Sequence, residues 1–299
     1  MAGGAVREMD VMVMAILIIG SVAWDEVVFL DAPLRIGSHN AGSEKNIRIG
    51  GGAANTAMAL AAMASVGPEA KARVEPVVIS SVGGDSRGKA LLTALEECGV
   101  RVDYVDCRGT RTTRSLVLLD RAGERTVVNI ERAPVPLPPD LADIPAECLY
   151  ARSADPALRP ILEKRARRGD LVIAHIPPTM DDFRPARILV GSASDLDQEF
   201  LADPFRAGRR IAGGSLKWVV ITHGAIGASA HGNHLGNEVI LREPAPKVSV
   251  RDSTGAGDVF AAGLAFALTL GKKMPEALAT AVRWGSASVE YEGTVPPSS

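Results

Sequence analysis

Short apolar runs recur along the chain with helical stretches between them. Residues 13–19, 77–82, 171–174, 188–190 and 218–222 are nearly continuous in apolar side chains, the pattern of strands buried on both faces. Residues 54–66 and 91–98 read as helices, the second closed by Gly99, and 256–270 and 275–291 as the last two. This alternation predicts an α/β fold: a mainly parallel sheet covered by helices on both faces. Functional loops then lie at the carboxyl ends of the strands.

Two stretches depart from that pattern. Residues 25–48 and 112–130 contain β-branched, half-polar segments such as Ser115-Leu116-Val117-Leu118-Leu119 and Thr126-Val127-Val128-Asn129-Ile130, with a hairpin turn expected over 120–124 at Gly123. They predict a small accessory sheet, either an open lid or the surface of a homodimer. A proline-rich stretch at 133–139 marks the return to the main sheet. With no internal repeat, residues 10–299 read as one domain and 1–9 as a disordered leader.

Composition narrows the partners. Of 299 residues, 46% are hydrophobic, enough for a sizeable core, and the net charge of −2 leaves no dominant basic face for nucleic acid. The densest basic run, residues 164–168, follows Ile161-Leu162 and is expected to be the exposed end of a helix. Cys98, Cys107 and Cys148 lack metal-ligand spacing and are odd in number, which fits buried or incidental thiols in a reducing cytoplasm. The apolar run 11–19 follows Asp10 and is too short to span a bilayer, so it reads as a buried first strand with no membrane role.

The densest chemistry lies at Asp252-Ser253-Thr254-Gly255-Ala256-Gly257-Asp258, a polar turn opening directly into an alanine-rich helix. Such a junction leaves N–H groups pointing outward, where the helix dipole favours an anion. A lone first-turn acid there is ordinary. Two acids, two hydroxyls and two glycines in one window suggest phosphoryl transfer instead, with Asp258 taking an acceptor's proton. No Gly-Lys-Ser/Thr follows, so this is not a Walker A loop.

Further candidates fall at expected strand ends. Asp25 reads either as a turn acid or as an acceptor of polyol hydroxyls. Gly50-Gly51-Gly52 leads into a helix carrying Asn55, which offers donor and acceptor together. Asp85 reads as the cap of the next helix. Thr222, Gly224 and Gly227 form a strand end and glycine loop suited to a nucleotide, with His223 more plausible as a bystander than as a base.

Taken together, these motifs resemble the PfkB, or ribokinase-like, family of carbohydrate kinases, in that family's order from about residue 16 to 293. The resemblance implies a three-layer sandwich with a β-sheet lid, using ATP and Mg²⁺ to phosphorylate a sugar hydroxyl, most simply a primary one. It makes Asp258 the catalytic base and Gly255, Ala256 and Gly257 the anion hole. Asp25, Gly50, Gly51 and Asn55 match the sugar-binding positions; Thr222, Gly224 and Gly227 match the nucleotide loop. Asp252 corresponds to an acid near which some members hold K⁺. The family's Asn-x-x-Glu motif is replaced here by Gly191-Ser192-Ala193-Ser194-Asp195, which leaves Asp195 nearest to a Mg²⁺ position. Two alternatives share the scaffold: a nucleoside kinase, and a catalytically silent sugar- or nucleotide-binding regulatory protein.

Overall fold

The first strand shows how the sequence builds the layers. In β1 (Met14–Ile19), Ile16 and Ile18 enter one core while Leu17 and Ile19 enter another, because successive side chains on a strand face opposite sides. The computed structural model describes residues 13–64, 74–120, 125–132, 134, 137–178 and 182–293. Residues 1–9, the expected hairpin turn at 121–124 and the residues beyond Gly293 lie outside the described residues, as does part of the proline-rich stretch.

After β1 come β2 (Ala23–Leu30), β3 (Gly42–Gly50), α1 (Gly52–Ala64), β4 (Val74–Gly83), α2 (Ser86–Glu97), β5 (Arg101–Gly109), β6 (Arg114–Leu119), β7 (Arg125–Glu131) and β8 (Cys148–Ala151). The second half contains α3 (Arg159–Arg168), β9 (Leu171–His175), β10 (Ile188–Ser192), α4 (Gln198–Ala202) and α5 (Pro204–Ala212). It closes with β11 (Trp218–Thr222), β12 (Gly227–His234), β13 (Asn237–Pro244), α6 (Ala256–Thr269) and α7 (Met274–Ser288).

The large sheet has nine strands in the order β13-β12-β11-β10-β9-β8-β1-β4-β5. Every pair from β11 through β1 to β5 is parallel, and the hairpin β12–β13 extends the edge in antiparallel fashion. Ala57 and Leu60 of α1, Leu91 and Leu95 of α2, Leu264 of α6 and Leu278 of α7 cover one face. Leu162 of α3, Phe200 of α4 and Ile211 of α5 cover the other, completing three layers.

The accessory sheet forms as its alternation predicts, in the order β3-β2-β6-β7. Its register sets Asp25 of β2 between Arg48 of β3 and Ser115 of β6. Asp85 accepts from Gly88 N–H at 2.7 Å and so caps α2.

Two expectations need correcting. The basic run does end a helix at Gly169, but it is not wholly exposed: Arg165 is 2% accessible and donates to the Leu141 and Ile144 carbonyls. Its stem crosses the α3 interface to reach carbonyls left over by an irregular segment. Helix α7 ends three residues before Tyr291, because the Val289 carbonyl accepts from Arg251 and Asp252 N–H.

Candidate active site

Strand order reverses at β1, with β4 on one side and β8 on the other, and such a reversal opens a crevice at the carboxyl ends. The candidate residues converge there from separate elements. Gly255 adopts φ 76° at the N-cap of α6, a left-handed conformation that turns the polar tract into the helix. Ala256 N–H returns to Ser253 O at 3.3 Å and Asp258 N–H to Gly255 O at 2.8 Å. The N–H groups of Gly255 and Gly257 take no partner among the described residues. Donors without acceptors at a helix N-terminus make an anion cradle.

Asp258 is buried with both carboxylate oxygens engaged. Asn55 Nδ2 of α1 donates to Oδ2 at 3.0 Å, and Arg152 Nε, just beyond β8, donates to Oδ1 at 3.0 Å. Gly51 enters α1 at φ 91°, and a Cβ on Gly50 would lie 2.1 Å from Asp25 Oδ2. The missing side chain at Gly50 thus lets the Asp25 carboxylate press against the end of β3. Burial pushes the Asp25 carboxyl up, against the opposing effects of Arg48 and a hydrogen bond from Ser115.

Asp252 is also buried. Its Oδ2 accepts from Arg48 Nη1 at 2.7 Å and Gly293 N–H at 3.3 Å, and its Oδ1 from Thr254 N–H at 2.8 Å. Burial alone would raise this carboxyl; the bonds from Thr254 and Arg48 outweigh it and hold it low. A guanidinium and two amides thus take three of the carboxylate's acceptor positions.

On the other side of Asp258 lies a cleft of about 890 Å³. Thr222, Gly224 and Gly227 form one wall, and Gly255 and Gly257 the floor beside Asp258. Asp195 lies on its rim in a short turn, bonded by Ser194 Oγ at 3.2 Å. Asp25, Gly50, Gly51 and Asn55 do not line this cleft; Asn55 meets Asp258, which does. His223 is a bystander, its Nε2 2.8 Å from Ser229 Oγ on β12.

Sequence reasoning missed Arg48, Arg152 and His175. His175 ends β9 inside the cleft, with Nδ1 2.9 Å from the Ile176 carbonyl, so the neutral ring carries its proton there. Burial, then the nearby Arg152 charge, push its pKa down to about 4. Arg152 stays charged: burial works against it, and Asp258 more than compensates. For Arg152 and His175 the one available signal was position, since both follow short apolar runs; Arg48 gave none.

Solved structures share this fold. The ribokinase of Cryptococcus neoformans var. grubii in complex with ADP superposes with a TM-score of 0.74 at 22% identity, over 95% of this chain and 97% of that one. The nucleoside kinase of Burkholderia thailandensis in complex with inosine gives 0.71 at 16% identity, over 93% and 92%. This is the ribokinase-like α/β fold. Residues 15–149 and 187–299 match the pfkB family of carbohydrate kinases, and the chain belongs to that family. A ribokinase of Arabidopsis thaliana is 23% identical over 241 residues, which cover 73% of this chain but 63% of that protein's length.

Proposed function

We propose that the protein is an ATP-dependent kinase that transfers the γ-phosphoryl group to a hydroxyl, in the simplest case a primary one, of a small carbohydrate. The observation that carries this reading is the placement of Asp258: a buried carboxylate on the large cleft, beside the open N–H groups of Gly255 and Gly257 and hydrogen-bonded to Asn55. A nucleotide's phosphates fit the cleft side, and a polyol fits Asp25, Asn55 and the Gly50-Gly51 backbone. Asp258 then accepts the acceptor's proton, while the α6 cradle takes the charge that builds on the phosphoryl group. Asn55 orients Asp258 and Arg152 balances its charge.

Mg²⁺ suits this site in a limited way. Among the described residues no cluster of three His, Cys, Asp or Glu is placed to hold a metal. Mg²⁺ is commonly held by one or two carboxylates together with phosphates and water, and Asp195 on the cleft rim meets that need. When bound, the ion would neutralise phosphate charge.

The test is ADP release by purified protein with ATP, Mg²⁺ and a panel including ribose, fructose and inosine. Turnover of a sugar is the expected result; preference for inosine favours the nucleoside alternative. Binding of sugar and nucleotide with no transfer to any acceptor favours the silent regulatory protein, and absence of both binding and transfer removes the reading.

A further inference from the structure

Arg152 is a residue at this site that the family motifs do not account for. It lies in residues 150–186, the gap between the two stretches that match the family, so nothing in that match assigns it a role. The fold nevertheless sets it at the centre. It follows β8 immediately, at the point where strand order reverses around β1. A Cβ on Gly20, the residue after β1, would lie 3.2 Å from Arg152 Cβ, and one on Gly52 would lie 2.8 Å from Arg152 Cγ and Nε. The side chain therefore runs across the N-terminal end of α1, over a glycine that leaves it room, to reach the N-terminal end of α6.

Its hydrogen bonds are incomplete. Nε donates to Asp258 Oδ1 at 3.0 Å, and the two Nη groups take no partner among the described residues. The side chain is 34% exposed and lines the large cleft, which Asp25 and Asn55 do not. A guanidinium presents five N–H donors in a rigid fork, so one edge can hold a carboxylate while the other meets phosphate oxygens. A strut serving only Asp258 would have no reason to lie open to the space beside the anion cradle.

We propose that Arg152 is a catalytic residue that bridges the base and the transferring phosphoryl group, an arginine supplied within the chain. This inference rests on the kinase reading above. In the step, the acceptor oxygen forms a bond to the γ-phosphorus as the bond to the β,γ-bridging oxygen breaks. The acceptor proton passes to Asp258 and the electron pair leaves on ADP. Arg152 keeps Nε on Asp258 and sets its Nη groups against the equatorial oxygens, stabilising charge where it spreads.

The experiment uses the full chain with ATP, Mg²⁺ and whichever of ribose, fructose or inosine the unaltered protein phosphorylates. For Arg152→Ala we expect kcat to fall about 10³-fold, with the KM for ATP changed less than about fivefold. Guanidinium chloride at millimolar concentration should restore about tenfold of the loss in Arg152→Ala and none in Asp258→Asn, which a merely structural role would not produce. Arg152→Lys keeps the charge but not the fork, and should lose roughly 10²-fold; it decides the matter if the alanine variant does not fold. Activity within about threefold of the unaltered protein in either folded variant overturns the proposal, as does a loss in Arg152→Ala that guanidinium leaves untouched. An unaltered protein inactive on every acceptor overturns the parent reading instead, and this one with it.

Discussion

Arg48 Nη1 donates to Asp252 Oδ2 at 2.7 Å, joining the accessory sheet to the turn that opens α6 across 204 positions of sequence. Both side chains are largely buried, so the pair is shielded from salt and its loss strands a carboxylate. The same Arg48 stands beside Asp25 in register on the neighbouring strand. The accessory sheet, Asp25 and the turn before α6 therefore meet at one ion pair. Arg48→Ala should cost about 2 kcal/mol in denaturant unfolding, less than the loss of a fully isolated pair, because Thr254 and Gly293 N–H still bind Asp252. It should also raise the acceptor KM more than the KM for ATP. A variant whose stability and acceptor KM both match the unaltered protein would show that the pair does not couple the two sheets.

Asp258→Asn preserves size and one acceptor oxygen but cannot take a proton. The expected result is a kcat reduced about 10³-fold with ATP affinity retained, since the cradle N–H groups belong to the backbone. Single-turnover kinetics beside a nucleotide-binding titration separate the two effects. Full activity in this variant would remove Asp258 as the base.

Gly50 and Gly51 are adjacent and constrained for different reasons. A Cβ on Gly50 meets the Asp25 carboxylate at 2.1 Å, the movable end of a side chain, so Gly50→Ala should displace Asp25. We expect roughly a tenfold rise in acceptor KM with little change in melting temperature. Gly51 has φ 91°, and a Cβ there meets the Ser21 carbonyl at 2.5 Å, which is backbone. Gly51→Ala should instead destabilise the protein by about 1–3 kcal/mol. Thermal unfolding and acceptor kinetics on the pair check the contrast, and identical phenotypes would contradict it.

Much of this architecture was legible because it depends on local pattern. The apolar runs of β1, β4, β9, β10 and β11 need burial on both faces, and only a helix-covered parallel sheet supplies it. The polar, glycine-bearing start of α6 and the glycines before α1 read as helix entries because those junctions have local chemistry. Strand β8 was missed because four residues, Cys148 to Ala151, carry too little periodicity to register. The β12–β13 hairpin was missed because Ala228, Gly232 and the charged residues of β13 do not alternate strongly. Arg152 and His175 were invisible for a related reason: each is a lone polar residue after a short strand, and strand order alone brings it to Asp258. The buried Arg165 was misread because composition describes a run, whereas burial is decided residue by residue.

His175 gives a pH dependence with a definite sign. In the folded protein burial and the Arg152 charge hold its pKa at about 4, against 6.5 for an unconstrained histidine. Between those values the unfolded chain binds more protons than the folded one, so acid favours unfolding. The stability linked to this group is complete above pH 6.5 and is lost as pH falls toward 4. The loss should reach about 2 kcal/mol by pH 5, taking about 1.4 kcal/mol for each tenfold change in equilibrium. His175→Asn keeps a donor for the Ile176 carbonyl and removes the titration. Urea unfolding at pH 7.5 and pH 5 should then show a smaller acid loss in the variant than in the unaltered protein, other carboxylates contributing equally to both. Equal losses would mean that His175 is protonated in the fold without penalty, and that its ring is not confined between β9 and Arg152 as the structure has it.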